Sequence, residues 1–158
     1  MAKHKPYLEA VKIFGCIILC LLAGLIGTLF TTTGPNSWYS HLVKPSFNPP
    51  NWIFAPVWTI LYILMGVSLY LALKNKIHIR ARLVFLVQLL LNTFWTIIFF
   101  GFEKTGWALI EIIVLWAFIL WTMILFYKKS KAATYLMIPY LLWVSFATIL
   151  TLAIFILN

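Results

Sequence analysis

Five stretches of this chain are apolar for about 20 residues each, and their length is what most limits the possible folds. A helix of roughly 20 residues crosses a hydrocarbon core of about 30 Å. Because unpaired backbone groups are costly in lipid, an apolar run inside a membrane must form a helix. The predicted spans cover residues of about 11–30, 52–73, 83–102, 107–127 and 133–157.

The composition argues against a soluble protein. Hydrophobic residues make up 64% of the chain and charged residues 9%, and the mean hydropathy is +1.02. Ordinary soluble domains are about 25% charged. We therefore predict a single all-α integral membrane domain over residues 1–158, a bundle of five transmembrane helices. The first run could also be a signal peptide, but it is longer than a usual signal core and lacks an obvious small-x-small cleavage site.

The basic residues predict how the helices are oriented. Cytoplasmic loops collect Lys and Arg, whereas translocated loops avoid them. With five spans, only Lys44 and Lys104 fall on one side of the membrane. The other ten fall on the opposite side: Lys3, Lys5, Lys12, Lys74, Lys76, Arg80, Arg82, Lys128, Lys129 and Lys131. This predicts a cytoplasmic N-terminus and an outside C-terminus. It also attributes the net charge of +9 to topology and anionic lipid, so no nucleic-acid partner is predicted.

The segment joining the first two spans is long and rich in proline and tryptophan. From Trp38 to Gly66 the chain reads WYSHLVKPSFNPPNWIFAPVWTILYILMG. Pro45, Pro49 and Pro50 fix the backbone, while the aromatic side chains supply flat, rigid contact surface. Pro56 is predicted in the first turn or so of the second span, where a missing N–H is tolerated. A loop this long in a compact protein is usually functional. It suits a lid over a flat apolar ligand, although an ordinary interfacial loop would use the same prolines.

Few polar side chains lie inside the spans. Gln88 and Asn92 are four residues apart on one face of the third span, and Glu111 is the one acidic residue well inside the fourth. Such residues usually face the bundle interior or a cavity. Gln88 and Asn92 could also join helices by hydrogen bonds, and Glu111 could reach water or a neighbouring helix near the outer interface.

Three further pairs each share a helix face, and their faces predict a pocket if they converge under the lid. They are Trp58 with Tyr62, Asn92 with Trp95, and Trp143 with Ala147. Asn92 would be the polar anchor of this pocket, and Ala147 would leave room for a ligand. Most tryptophans in membrane proteins are interfacial anchors, an interpretation that fits Trp38, Trp52 and Trp107.

Other chemistry has weak support in the sequence. Cys16 and Cys20 lie four residues apart without a nearby His or carboxylate, so we interpret them as packing residues and predict no metal site. His41 is the one candidate proton donor near the lid, but it lacks a carboxylate neighbour. Ala23 and Gly27 form a small-xxx-small pair that would serve either a homodimer or internal packing.

The chain resembles the tryptophan-rich sensory proteins, also called TspO or translocator proteins, which include the mitochondrial peripheral benzodiazepine receptor. The resemblance is carried by the segment Trp38 to Gly66 and by QLLLNTFWTIIFFG, GWALIE and PYLLWVSFAT. It implies a five-helix bundle, often a homodimer, and a lid-capped pocket for porphyrins, haem precursors, sterols or isoquinoline carboxamides. No cofactor is implied; a tetrapyrrole would be the ligand. The implied ligand contacts are Tyr39, Pro49, Trp58, Tyr62, Asn92, Trp95, Trp143 and Ala147.

The chain departs from the family pattern in the last span. Thr151 stands where many members have Asn, which changes the polarity deep in the pocket. After Lys131 the chain has no Lys or Arg, so it lacks the cholesterol-recognition pattern of animal members, and we do not expect high-affinity sterol binding of that type. Without a mitochondrial transit segment, a bacterial cell membrane is the expected location.

Three functions therefore remain open. The favoured one is a membrane receptor, sensor or carrier that binds porphyrins and related flat apolar ligands. The second is an enzyme that degrades protoporphyrin IX in light, with Trp58 and Trp143 as electron or radical partners. The third is a membrane scaffold without ligand chemistry.

Overall fold

The structure is a computed structural model that describes residues 6–158 and, within that range, consists of helices and connecting segments. Five helices are long and apolar enough to span a membrane, which confirms the predicted five-helix bundle. Lys3 and Lys5, used to predict the orientation, lie outside the described residues. The elements are α1 (Pro6–Thr28), α2 (Trp38–His41), α3 (Asn51–Lys74), α4 (Ile79–Thr96, continued by a π-helical turn at Ile97–Gly101), α5 (Thr105–Tyr127), α6 (Lys131–Leu136) and α7 (Ile138–Leu157).

Proline residues set the beginning of α3 and the break in the fifth span. Helix α3 begins immediately after Pro50, as the Pro49-Pro50 pair predicts. Pro56 is consequently the sixth residue of α3 and lies early in its second turn, close to the first turn or so in which it is predicted. The fifth span is interrupted at Met137, between α6 and α7, because Pro139 has no N–H to continue the helical bonding.

The five spans are arranged in a ring, and the ring is wider at the end near the loop between α1 and α3. Helix α1 packs against α3 and α4, α4 against α5, and α5 against α7. Helix α3 completes the ring mainly through α6 and only weakly through α7. The second and fifth spans are therefore close at the end where Lys131 lies and separate toward the other end, which leaves space beneath the loop between α1 and α3.

Small residues allow α1 to approach its neighbours closely. A Cβ on Gly24 would collide with the Tyr62 ring, and a Cβ on Gly27 would lie 3.4 Å from Thr96 Oγ1. The Thr93 hydroxyl donates to the Ala23 carbonyl at 3.0 Å. The Ala23 and Gly27 pair thus serves internal packing against α4. The homodimer and the orientation of the N-terminus stay predictions.

The loop between α1 and α3, residues 29–50, is fixed over the bundle at several points, and we call it the lid. Trp38 packs edge-on against Phe99, with ring centroids 5.6 Å apart, and Phe47 packs against Phe146 at 6.4 Å. Asn158 binds the lid backbone twice. Its Oδ1 accepts from the Val43 N–H at 2.9 Å, and its Nδ2 donates to the Val43 carbonyl at 3.0 Å.

We expect Asn158→Ala to loosen the lid. The substitution removes both bonds to Val43, and each such bond contributes about 0.5–1.5 kcal/mol net. Hydrogen exchange of the Val43 amide should therefore accelerate at least about fivefold, as measured by mass spectrometry on lid peptides. Asn158→Asp, which keeps the acceptor and loses the donor, should give an intermediate rate. Equal exchange in all three proteins would show that the aromatic contacts hold the lid without Asn158.

Candidate ligand-binding site

A cavity of about 550 Å³ lies under the lid, between α1, α3, α4 and α7. Pockets of roughly 300–1,000 Å³ are typical of sites for small organic ligands. Six of the eight predicted site residues line the cavity, and they come from four separate elements. They are Tyr39, Trp58, Tyr62, Trp95, Trp143 and Ala147. The predicted convergence of helix faces is therefore present, while a role in ligand binding stays a prediction for each residue.

Aromatic rings from α3, α4 and α7 form much of the lining of the cavity. On α3, Trp58 stacks on Tyr62 with centroids 5.7 Å apart and an interplanar angle of 30°. On α7, Trp143 meets Phe54 of α3 edge-on at 6.0 Å. On α4, Trp95 stacks on Phe99 at 5.1 Å. Aromatic rings are the side chains that a planar conjugated ligand contacts best, by stacking or edge-on.

Asn92 does not line the cavity, in contrast to the prediction. Its Oδ1 accepts a hydrogen bond from the hydroxyl of the cavity-lining Tyr62, and its Nδ2 donates to the Tyr140 hydroxyl at 3.1 Å. The Tyr140 hydroxyl in turn donates to Gln88 Oε1 at 3.0 Å. These four side chains are buried and link α3, α4 and α7. Asn92 and Gln88 therefore join the helices, and Asn92 acts on the cavity by fixing the Tyr62 ring.

Pro49 does not line the cavity either, and it is linked through Asn48 to the lining residue Tyr39. The Tyr39 side chain closes the cavity from the lid, and its hydroxyl donates to Asn48 Oδ1 at 3.2 Å. Asn48 Nδ2 donates to the Pro49 carbonyl at 3.0 Å. Burial raises the pKa of Tyr39, and the bond to Asn48 offsets part of that rise. The phenol is thus neutral at physiological pH and stays a hydrogen-bond donor to the lid.

Several other lining residues were not predicted from the sequence. Phe99 and Phe100 are adjacent in the chain, yet both line the cavity, because the π-helical turn at Ile97–Gly101 adds a residue to that turn. Tyr39 packs against both of their rings. Helix α1 contributes Leu21 and Gly24, although its sequence carries no aromatic or polar signal for a site. The density of aromatic residues in TIIFFG was the one available clue.

Glu111 is half-buried, and its carboxyl group does not reach water as one interpretation of the sequence had it, whereas contact with a neighbouring helix stays a prediction. Both of its carboxyl oxygens are inaccessible and have no hydrogen-bond partner. The indole N–H groups of Trp95 and Trp143 are also buried without a partner. None of these atoms is open to the cavity. Among residues 6–158, no cluster of three or more His, Cys, Asp or Glu could hold a metal ion, and Cys16 and Cys20 are free thiols.

Comparison with known proteins agrees with this arrangement. The sequence model of the TspO/MBR family matches residues 16–157, nearly the whole chain. The chain belongs to the TspO/MBR family. It is similar to the tryptophan-rich protein TspO of Chlorobaculum tepidum, with 46% identity over 148 residues, which cover 90% of this chain and 93% of the relative.

Two further relatives show how widely the TspO/MBR sequence pattern extends. The tryptophan-rich protein TspO of Archaeoglobus fulgidus is 39% identical over 153 residues, covering 96% of this chain and 99% of the relative. The human translocator protein is 34% identical over 145 residues, covering 89% and 86%. Family membership and the five spanning helices establish a multi-pass integral membrane protein, and the Chlorobaculum relative is consistent with a bacterial cell membrane.

Proposed function

We propose that this TspO/MBR protein binds porphyrins or related flat, largely apolar ligands in the cavity and acts as a membrane receptor, sensor or carrier. The observation that carries the proposal is the set of aromatic rings that line a partly open space of about 550 Å³. Stacking on indole and phenol rings, together with burial of a large apolar face, supplies most of the affinity for a planar ligand. The names of the relatives, which include a tryptophan-rich sensory protein and translocator proteins, support a sensing or transport role.

Quenching of tryptophan fluorescence by protoporphyrin IX in detergent tests this proposal. We expect saturable quenching in the parent and at least about tenfold weaker binding in Trp143→Ala, because the indole contributes both area and ring contacts. Trp52→Ala is the matched control, since Trp52 is 73% exposed and does not line the cavity. Quenching that never saturates and is equal in all three proteins would mean partitioning into detergent and would contradict the proposal.

Light-dependent degradation of protoporphyrin IX is a second candidate, favoured by one contact pattern. Trp58 stacks on Tyr62 and meets Tyr140 edge-on at 6.2 Å, so an oxidised indole would have two oxidisable phenols beside it. In this reaction Trp58 would give an electron to the excited porphyrin, with dioxygen as the oxidant. Illuminating the bound complex tests it. A Trp58→Phe variant that binds porphyrin but no longer bleaches it would support the enzyme, and equal bleaching in both proteins would contradict a role for Trp58.

A further inference from the structure

A second depression lies at the lid end of the bundle, where the beginning of α5 meets the end of α7. It is an open groove of about 470 Å³. The groove shares no lining residue with the cavity under the lid, so it is a separate feature, which we call the α5–α7 groove. Its lining includes Glu103, Lys104, Gly106, Trp107, Ile110 and Phe155.

One side of the α5–α7 groove is apolar and faces away from the bundle. Trp107, Ile110 and Phe155 are all exposed on the surface of their helices. Gly106 lets the two helices approach, because a Cβ there would lie 3.1 Å from Cε2 of the Phe155 ring. An exposed indole at the end of a spanning helix lies at the level of the lipid headgroups. The apolar side of the groove is therefore placed to meet the upper part of lipid chains.

Two opposite charges lie beside this apolar surface. Glu103 and Lys104 are both exposed, and both line the groove. Within residues 6–158 the one salt bridge joins Lys12 to Glu9, so Glu103 and Lys104 are not ion-paired there. Their backbone is held in place, because the Lys104 N–H donates to the Ile98 carbonyl at 3.2 Å where the chain turns from α4 into α5.

Charges are scarce at this end of the bundle. The remaining lysine is Lys44, whose ammonium lies 4.6 Å from the centroid of the Tyr39 ring and 3.4 Å from the Leu42 carbonyl. The other described Lys and Arg residues belong to the opposite ends of the spans. One unpaired acid and one unpaired base beside an apolar surface match a ligand that carries both charges on an apolar body. A small anion would use only one of the two charges and none of the apolar surface.

We propose that the α5–α7 groove binds one phospholipid whose headgroup carries a phosphate and a primary ammonium group, as in phosphatidylethanolamine. The Lys104 ammonium pairs with the phosphate, and the Glu103 carboxylate accepts hydrogen bonds from the headgroup ammonium. The lipid chains pack along Trp107, Ile110 and Phe155. A choline headgroup has no N–H to donate, and a glycerol headgroup has no positive charge, so both lose the pairing with Glu103. The proposal concerns a different surface from the cavity and does not depend on the proposed function.

Native mass spectrometry of the protein in detergent tests the headgroup preference, with phosphatidylethanolamine, phosphatidylcholine and phosphatidylglycerol of identical chains. We expect phosphatidylethanolamine to bind at least about threefold more tightly than either of the others, the scale of an exposed charged pair. Glu103→Gln should abolish its preference over phosphatidylcholine. Lys44→Gln, the matched control at the same end of the bundle, should leave that preference unchanged. Equal binding of the two lipids by the parent, tighter binding of phosphatidylglycerol, or a preference that survives in Glu103→Gln would each overturn the proposal.

Carbodiimide coupling locates the bound lipid. The reagent joins a carboxylate to a primary amine as an amide with loss of water, so it can link phosphatidylethanolamine to Glu103 but cannot link phosphatidylcholine. We expect a lipid adduct on the Glu103 peptide, at a yield at least about threefold higher in the parent than in Lys104→Gln. Glu9 should be coupled less, because its carboxylate is engaged by Tyr70 at 2.7 Å and by Lys12 at 2.9 Å. No adduct on Glu103, or an equal yield in the parent and Lys104→Gln, would overturn the proposal.

Discussion

Gly66→Ala is expected to destabilise the bundle by roughly 1–3 kcal/mol, because the added methyl group has no space between α1 and α3. A Cβ at Gly66 would lie 2.5 Å from the Cα of Ile17 and 2.8 Å from its backbone nitrogen. Backbone atoms of a packed helix cannot move aside as the end of a flexible side chain can. Helix α1 would have to shift away from α3, and the contact between Gly24 and the Tyr62 ring would open with it.

Gly15→Ala is the matched control for this change. Gly15 lies on α1, and a Cβ built there meets nothing within 4 Å. Alanine is about 1 kcal/mol better than glycine inside a helix, so Gly15→Ala should leave the protein equally or more stable. Thermal unfolding in detergent would compare the two variants. Equal melting temperatures for Gly66→Ala and Gly15→Ala would contradict the close packing of α1 on α3.

Asn92→Leu is expected to cost at least about 1–3 kcal/mol of stability, the range for a buried polar group left without a partner. The change removes the acceptor of the Tyr62 hydroxyl and the donor to the Tyr140 hydroxyl. Asn92 is 3% exposed, so water cannot replace either bond. Leucine has the branching of asparagine but is larger, so a packing cost of about 1–3 kcal/mol adds to the loss of the hydrogen bonds.

A double-mutant cycle with Tyr62→Phe isolates the bond between Asn92 and Tyr62. If the network has been identified correctly, the two substitutions are strongly non-additive, with a coupling energy of about 0.5–3 kcal/mol. Porphyrin affinity should fall less in Asn92→Leu than in Trp143→Ala, because Asn92 acts only through the orientation of Tyr62. Additive losses of stability would contradict the network. A larger loss of porphyrin affinity in Asn92→Leu than in Trp143→Ala would indicate that Asn92 contacts the ligand directly.

Much of the candidate site could be predicted from helical periodicity. The i, i+4 pairs Trp58 with Tyr62 and Trp143 with Ala147 correctly identify two faces that line the cavity. The pair of Asn92 and Trp95 was half right, because residues that share a face differ in depth. At the depth of Asn92, its side-chain oxygen is occupied by a hydrogen bond from the Tyr62 hydroxyl, which comes from another helix. A sequence pattern on one helix carries no information about the side chain that a neighbouring helix inserts.

The contribution of α1 could not be predicted for a related reason. Its lining residues are leucine, isoleucine, glycine and threonine, which are ordinary residues for any membrane helix. Their position at the cavity follows from the close approach of α1 to α3 at Gly66 and to α4 at Gly27. The burial of the Glu111 carboxyl oxygens could not be predicted from the sequence either, because the position of a span boundary does not show which face of the helix turns inward.

The sequence by itself determined the number of spans, the beginning of α3 and the membrane class of the protein, because these follow from local properties: the length of each apolar run, the missing N–H of proline and the cost of bare backbone in lipid. The tertiary structure alone decided the cavity. Its space exists because α3 meets the last span at α6 and separates from it toward α7. The hydrogen bond that fixes the Tyr62 ring at its wall joins Tyr62 to Asn92, which is 30 residues away in the chain. Such contacts depend on the packing of whole helices, which no local pattern of residues specifies.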